Sequence, residues 1–518
     1  MKKLYAILFI TILCMTFLAC GGGNQQSQGV VSGFRSPDPD YANIDLTRHV
    51  NITIYNFSDV VVPDRADVVG LANERYFMPI LNTTVEAVLM PNTNAAQMYP
   101  LLLAGGSDVD VIFTAPWRYY NEEASKGSFV EITDDLLRTY LPKTLRTNPP
   151  VSWVQARMDG RVYGIPPSWV WWEQKMVAIR EDLRLSNNLP EIRTWQDLEN
   201  YVITVGRNDR VYYNTSANTW ELMNVYLQYR NVLLTVQPVY FAWEHRGGEP
   251  GPDDLHFLYT SSWYRDYALT MARWYTAGAF DRNVMNQTIG DRSNFPQGRS
   301  SMVVGNFVIF MQGNDLIANG QGIPSYWDIS QSVDAIVRRM TYDNNLLAIA
   351  ATSNNVERSA LVIDLIKNTR DLNEMIRFGI EGRHWIRTGP SSYVPGPETT
   401  GYPAGNWISG PIFFEGQVTL ELPADTTQQE IDIRDSVDAR LTDLEIDGFR
   451  LNVSSMQSEW AVMSALIEEY RRSFECGIFE GQTAARFDDF SNRLRAAGLD
   501  RMVALVREQY AEFRRTMR

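Results

Sequence analysis

Residues 51–57 read Asn-Ile-Thr-Ile-Tyr-Asn-Phe, an alternation of polar and apolar positions with the period of a strand. A helical pattern over 73–80 and a second strand over 84–90 follow. Apolar residues at helical spacing then run over 95–104, closed by Gly105-Gly106. A compact apolar strand over 109–114 ends at Ala115-Pro116-Trp117. Strand, helix, strand, helix, strand in this rhythm predicts an α/β unit with a largely parallel sheet. Asp159-Gly160-Arg161-Val162-Tyr163-Gly164-Ile165-Pro166 then predicts a turn and an extended stretch. The run 168–179 is strand-like, with Trp169 and Trp171 on one face and Trp172 on the other. Thr194 opens a helix over 194–205, with an acidic first turn to help cap it. Further helical patterns cover 262–277, 356–369 and most of 459–518, the last interrupted by Gly477, Gly481 and Gly498.

The ends of the chain narrow the class. Lys2 and Lys3 precede an apolar run from Leu4 to Leu18, too short to span a ~30 Å bilayer core and flanked as a secretory signal is. Phe17-Leu18-Ala19-Cys20-Gly21 resembles a bacterial lipobox, although Phe17 is a looser fit than the usual Leu. The resemblance implies cleavage after a 1–19 signal peptide and a lipid on the Cys20 thiol. The Gly-, Ser- and Gln-rich stretch beyond it predicts a flexible tether over 20–48, with structure starting near Val50. Of three cysteines only Cys476 stays in the mature body, so no disulfide framework is available and Cys476 reads as a small buried hydrophobe. The formal net charge of −14 argues against a phosphate-binding surface and hence against nucleic acid.

Several segments, in order, resemble family 1 of the bacterial extracellular solute-binding proteins. They are Leu101–Val111, Asp159–Pro166, Ile179-Arg180-Glu181-Asp182-Leu183 with Thr194-Trp195-Gln196-Asp197-Leu198, and Phe295–Met302. Gly379-Ile380-Glu381-Gly382-Arg383-His384-Trp385, Gly448-Phe449-Arg450, Arg495–Asp500 and Glu508-Gln509-Tyr510 are similar to a subgroup of large lipoproteins with an extended C-terminal region. The resemblance implies an α/β fold of two lobes around a ligand cleft, with hinge crossovers. It puts 49–165 and 344–385 in lobe one, and 166–343 and 386–518 in lobe two. It also implies a monomeric, extracytoplasmic receptor that hands a sugar or oligosaccharide to an ABC importer's permease. A sensory or surface-binding lipoprotein of the same fold and a secreted glycosidase are the alternatives.

In open α/β sheets ligands sit beyond the carboxyl ends of the strands. That rule and the chemistry of sugars, with apolar faces and rings of hydroxyls, select the candidate ligand contacts. Asp59 follows the first strand and Trp117 the third. Trp169 and Trp171 follow the first crossover. Trp407 lies in a loop-like 401–410 segment, and Asn306, Glu381 and Arg383 are polar candidates. The close pair Asp108 and Asp110 reads as the turn before a strand and not as the two carboxylates of a glycosidase. The four histidines show no metal-ligand spacing, and there is no Gly-x-Ser-x-Gly elbow. The sequence thus calls for no catalytic residue, metal or cofactor.

Overall fold

The computed structural model describes residues 34–516, apart from 59–60, 92–93, 106–107, 171, 214–218, 236–238, 288, 333–334, 390–391, 404–421 and 424–425. The predicted 20–48 tether is too long at its C-terminal end. Tyr41 and Leu46 are fully buried, and the Tyr41 hydroxyl donates to Asp364 at 2.9 Å. Tyr41 and Leu46 join the lobe-one core, and Asp38 and Asp40 pair with Lys143 and Arg146, so this stretch is docked on the first lobe.

Lobe one begins with β1 (Val50–Phe57), followed by α1 (Arg65–Ala72), β2 (Thr83–Met90), α2 (Ala95–Leu103) and β3 (Val111–Thr114). β1 pairs in parallel with β2 over its whole length and with β3 at Ile54↔Val111, so the rhythm read from the sequence is a parallel sheet. The helical pattern read over 73–80 is the end of a longer helical run from Arg65 to Leu81. Its middle, Asn73–Phe77, widens to a π turn just before Pro79, which has no N–H to donate into the ladder. Helix α3 (Pro150–Gln155) precedes the first crossover.

Lobe two is built differently. Its sheet has β4 (Met176–Arg180) at the centre, and α4 (Trp195–Asn208) and α5 (Trp220–Tyr229) follow in the chain. Then come a hairpin of β5 (Val232–Thr235) and β6 (Phe241–Glu244), and helix α6 (Ser262–Ala277). β7 (Met302–Gly305) and β8 (Pro324–Asp328) flank β4, both antiparallel to it. The predicted strand over 168–179 is therefore a strand only from Met176; the residues before it are the crossover. The cap of α4 is as read: Thr194 and Asp197 exchange side-chain-to-backbone hydrogen bonds.

The chain returns to lobe one through β9 (Leu346–Ile349), antiparallel to β3, then α7 (Val356–Asn368) and α8 (Arg370–Phe378). The predicted boundary at 385/386 is not where the chain leaves lobe one. The hairpin Trp385–Gly389 with Ser392–Pro395 stays on it, and the Tyr402 hydroxyl donates to the Ile376 carbonyl at 2.7 Å. Trp385 and Tyr402 are both buried, and this apolar anchoring holds the segment on lobe one. The next described helix, α9 (Gln428–Asp438), packs on lobe two through Ile433 and Val437.

Helices α10 (Gln457–Glu475), α11 (Thr483–Ala496) and α12 (Leu499–Thr516) join the lobe-two core, where Phe474 and Phe487 meet Tyr264 of α6 and Tyr470 and Phe490 pack on Phe474. Gly477, with φ +72°, lets the end of α10 approach the α6 backbone; a Cβ there would lie 2.1 Å from the Met271 carbonyl oxygen. Cys476 is fully buried beside it, and burial pushes its thiol up to about 12. No described helix is long and apolar enough to cross a membrane.

The first and second crossings run side by side. Ile165 bridges Leu347 and Trp172 bridges Arg339, both antiparallel, and the Glu173 N–H donates to the Arg338 carbonyl at 2.8 Å. Lys367, at the end of α7, braces this hinge from below by donating to the Pro166 carbonyl at 2.5 Å and to Asn148 Oδ1 at 3.1 Å. Burial pulls its ammonium down to about 7, against a smaller opposing effect of Asp364. The unfolded chain therefore binds the extra proton between pH 7 and the ordinary lysine value, and stability rises with pH across that window. Thermal unfolding from pH 7 to 10 is expected to show a contribution of up to about 1.4 kcal/mol per pH unit from this group. Lys367→Met is expected to flatten that rise.

Candidate ligand cleft

A cavity opens where the two lobes and the hinge meet. Lobe one supplies Pro116, just past β3, and Asn121. The hinge supplies Glu173, Gln174 and the returning stretch 338–344. Lobe two supplies Trp220 and Asn224 from α5, Leu233 from β5, and Tyr240. Ile446, Asp447, Phe449 and Arg450 of the C-terminal region complete the wall.

Its apolar face is aromatic. Trp220, at the start of α5, lies 4.3 Å from Tyr240 between ring centroids, and Phe449 lines the same cavity. The polar face is a set of matched charges. Behind Glu173, which lines the cavity, Lys175 is almost fully buried just before β4, with Nζ 2.8 Å from Glu173 and 3.0 Å from Glu221; Arg292 approaches Glu221 at 2.8 Å. Burial works against the Lys175 ammonium, yet the two carboxylates outweigh it and hold the ammonium above its ordinary value. Burial likewise works against the Glu221 carboxylate, and Lys175 and Arg292 hold it below the usual range. Asp447 is buried and its carboxyl is pushed up to about 6 by burial, with Arg338 at 3.5 Å working the other way. Arg450 pairs with Asp343, and Arg339 with Asp443. Among the described residues, all six charged side chains lining the cavity thus have an ionic partner.

Of the residues the sequence nominated, Trp117 is nearest this cavity. It is half exposed beside Pro116, its indole N–H donates to the Asn344 carbonyl at 2.8 Å, and Arg118 stacks on its ring at 5.1 Å. Trp169 is buried and does not line the cavity. Asn306 caps the turn before the helix Ile309–Ala318, accepting from the Val308 N–H, and is also off the wall. Glu381 and Arg383 sit on a different part of lobe one. Arg383 is held by Asp64, Asp67 and Glu398 at 2.6–2.8 Å, and Glu381 faces Arg387. That segment is a structural clamp, with the buried His384 against Asp64 at 3.1 Å. Asp59, Trp171, Trp407 and Cys20 lie outside the described residues.

The wall residues missed from the sequence are Trp220, Tyr240, Glu173, Arg338 and the pair Phe449 and Arg450. The last two lie in a motif already singled out, Gly448-Phe449-Arg450, and carried a usable signal. Trp220 and Tyr240 carried none, because an aromatic in a lobe-two helix or loop reads as core.

The crystal structure of the N-glycan transport solute binding protein NgtS from Streptococcus pneumoniae superposes with a TM-score of 0.73 at 15% identity, covering 91% of this chain and 100% of that one. The fold is that of a two-lobed solute-binding protein. The solute-binding fold is shared with the alginate-binding protein AlgQ2, with a TM-score of 0.66, 15% identity, and 90% and 99% of the two chains covered. An HMO binding ABC-transporter associated solute binding protein from Bifidobacterium longum infantis gives 0.63 at 13% identity, covering 89% and 98%. Residues 445–515 of this chain match the model of a domain of unknown function, DUF3502. No protein with a curated description matches the chain in sequence.

Within the solute-binding fold, Lys175 is the charge on which the cleft floor depends. Lys175→Met is expected to leave Glu173 and Glu221 facing each other and to cost about 3–5 kcal/mol in denaturant unfolding. A loss below about 1 kcal/mol would mean that Arg292 alone neutralises the floor.

Proposed function

We propose that this protein is the extracytoplasmic receptor of an ABC importer and that its cleft captures an oligosaccharide of low net charge. The observation that carries the reading is the wall itself. The ring pair Trp220 and Tyr240, with Phe449, lines the same cavity as groups whose charges are already matched. Sugar rings pack their C–H faces on such aromatics, and their hydroxyls bond to oriented, neutralised pairs without needing a counter-charge. The similar folds include proteins described as binding N-glycans, alginate and HMO, which supports a glycan as the class. Closing of the lobes on the ligand is a hinge motion about the paired crossings, and the closed form is populated as far as the ligand binds it more tightly.

In the same reading a permease receives the sugar and a lipid on Cys20 holds the monomeric receptor at the outer face of the membrane. Labelled fatty acid is expected to be incorporated into the wild-type protein and not into Cys20→Ser; equal labelling of the two, or none in the wild type, would remove the anchor from the proposal.

The ligand reading is tested by thermal unfolding of the mature protein with neutral oligosaccharides, alginate oligomers and peptides. A ligand at 100 times its Kd adds about 2.7 kcal/mol, a measurable rise in Tm. Neutral glycans are expected to give that rise, to be recovered chemically unchanged, and to bind about tenfold or more weakly to Trp220→Ala. Stabilisation by alginate alone would overturn the low-charge assignment. Stabilisation by peptides alone would overturn the sugar reading.

A further inference from the structure

The segment Glu445–Arg450 opens the unit of unknown function, and it touches every part of the molecule that must move during closure. The Glu445 and Ile446 N–H groups donate to the Glu249 carboxylate of lobe two at 2.6 and 3.2 Å. Asp447 faces Arg338 on the returning crossing. Arg450 Nη2 donates to the carbonyl of Gln155, the last residue of α3 in lobe one, at 2.8 Å, and to the Asp343 carboxylate on the crossing. Gln155 closes the loop by accepting from the Tyr342 N–H at 2.8 Å. Between these contacts Gly448 is flanked by Phe513 of α12 and Val154 of α3, which a Cβ would meet at 3.4 and 3.9 Å.

The segment is also fixed to the rigid body of lobe two. The Phe449 ring lies 5.2 Å from Tyr510 and 5.7 Å from Phe513, both on α12. A continuous path therefore runs from lobe one, through Arg450 and Phe449, into the C-terminal helices. Four residues of that same segment line the cavity.

We propose that the C-terminal unit 445–515 couples the two lobes, and that Arg450 is the positioning residue that holds the ligand-free protein in its binding-competent arrangement. This deepens the ligand reading above and rests on it only for the binding experiment. Asp343 is nearly fully buried, so its pairing with Arg450 has little competition from water. Losing that pairing leaves the Tyr342 N–H to Gln155 contact as the remaining link in this loop between the end of α3 and the crossing, and widens the range of lobe angles. Apparent affinity then falls by the fraction of molecules that remain competent, whatever the sugar.

The test uses the full mature chain with one fluorescent dye on each lobe. In Arg450→Met the interlobe distance without ligand is expected to be broader and longer than in the wild type. The Kd of every binding oligosaccharide is expected to rise by one common factor of about ten, as when the competent fraction drops tenfold. Arg450→Lys is expected to recover part of both effects. Should Arg450→Met fail to fold, the double variant Arg450→Met with Asp343→Asn removes the stranded carboxylate and is read in the same way. An unchanged distance distribution, with lowered Tm as the sole effect, overturns the proposal, as does a Kd change that differs from sugar to sugar. If no sugar binds the wild type, the oligosaccharide reading fails, while the ligand-free distances still decide the coupling.

Discussion

Two chain segments, 165–173 and 338–347, cross between the lobes side by side and in opposite directions. Their pairing at Ile165↔Leu347 and Trp172↔Arg339 is the constraint from which the rest of the molecule follows. A single strand between the lobes would swing in any direction. Two hydrogen-bonded strands bend most easily about one axis, so the faces of the lobes meet repeatedly in one register. Residues beside and between those bridges then become the floor of the cleft: Glu173 and Arg338 next to the Trp172↔Arg339 bridge, and Asp343 between the two bridges. Lys367, donating from a lobe-one helix to the Pro166 carbonyl, fixes where the first crossing starts.

How much of this the sequence disclosed depends on how local each feature is. β1, β2 and β3 were legible because a strand's burial pattern is written in its own residues, as was the Thr194–Asp197 cap. The turn at Asp159-Gly160 and the crossing after it were legible for the same reason. The boundary after lobe one was not. The hairpin from Trp385 stays on lobe one because Trp385 and Tyr402 find apolar partners there, and partners are chosen in three dimensions. Arg383 illustrates the same limit. Its motif looked like ligand chemistry, but Asp67, 316 residues away in the chain, is one of three carboxylates that claim its guanidinium. Of the cleft wall, drawn from at least five separated stretches, the strand-end rule pointed to the piece at Pro116, while Gly448-Phe449-Arg450 stood out as a motif without being placed in the cleft.

The buried charges explain why such a wall can be both rigid and selective. An isolated ammonium as buried as Lys175 would lose its proton or unfold the site. Between Glu173 and Glu221 it stays charged, and it ties the start of β4 to the start of α5, the helix that carries Trp220 into the cavity. The electrostatic floor therefore positions the aromatic wall. A pairing of this kind contributes little net stability compared with an apolar replacement of the same shape, so its retention is better understood through geometry than through folding energy.

That geometry bears on the ligand. A charged ligand entering this cavity must either displace an existing partner, such as Asp343 from Arg450, or be buried without a counter-ion; both are costly. A neutral polyol meets neither penalty. Its hydroxyls can donate to carboxylate oxygens and accept from guanidinium N–H groups that remain free after pairing, since an arginine has five donors and a carboxylate about four acceptor sites. Charge pairing thus leaves the cleft polar but not charge-seeking, and the Trp220–Tyr240 face supplies the apolar contact that water cannot match. Selectivity among neutral glycans would then reside in the shape of the aromatic face and in the angle at which the lobes close, which is where the C-terminal segment around Arg450 acts.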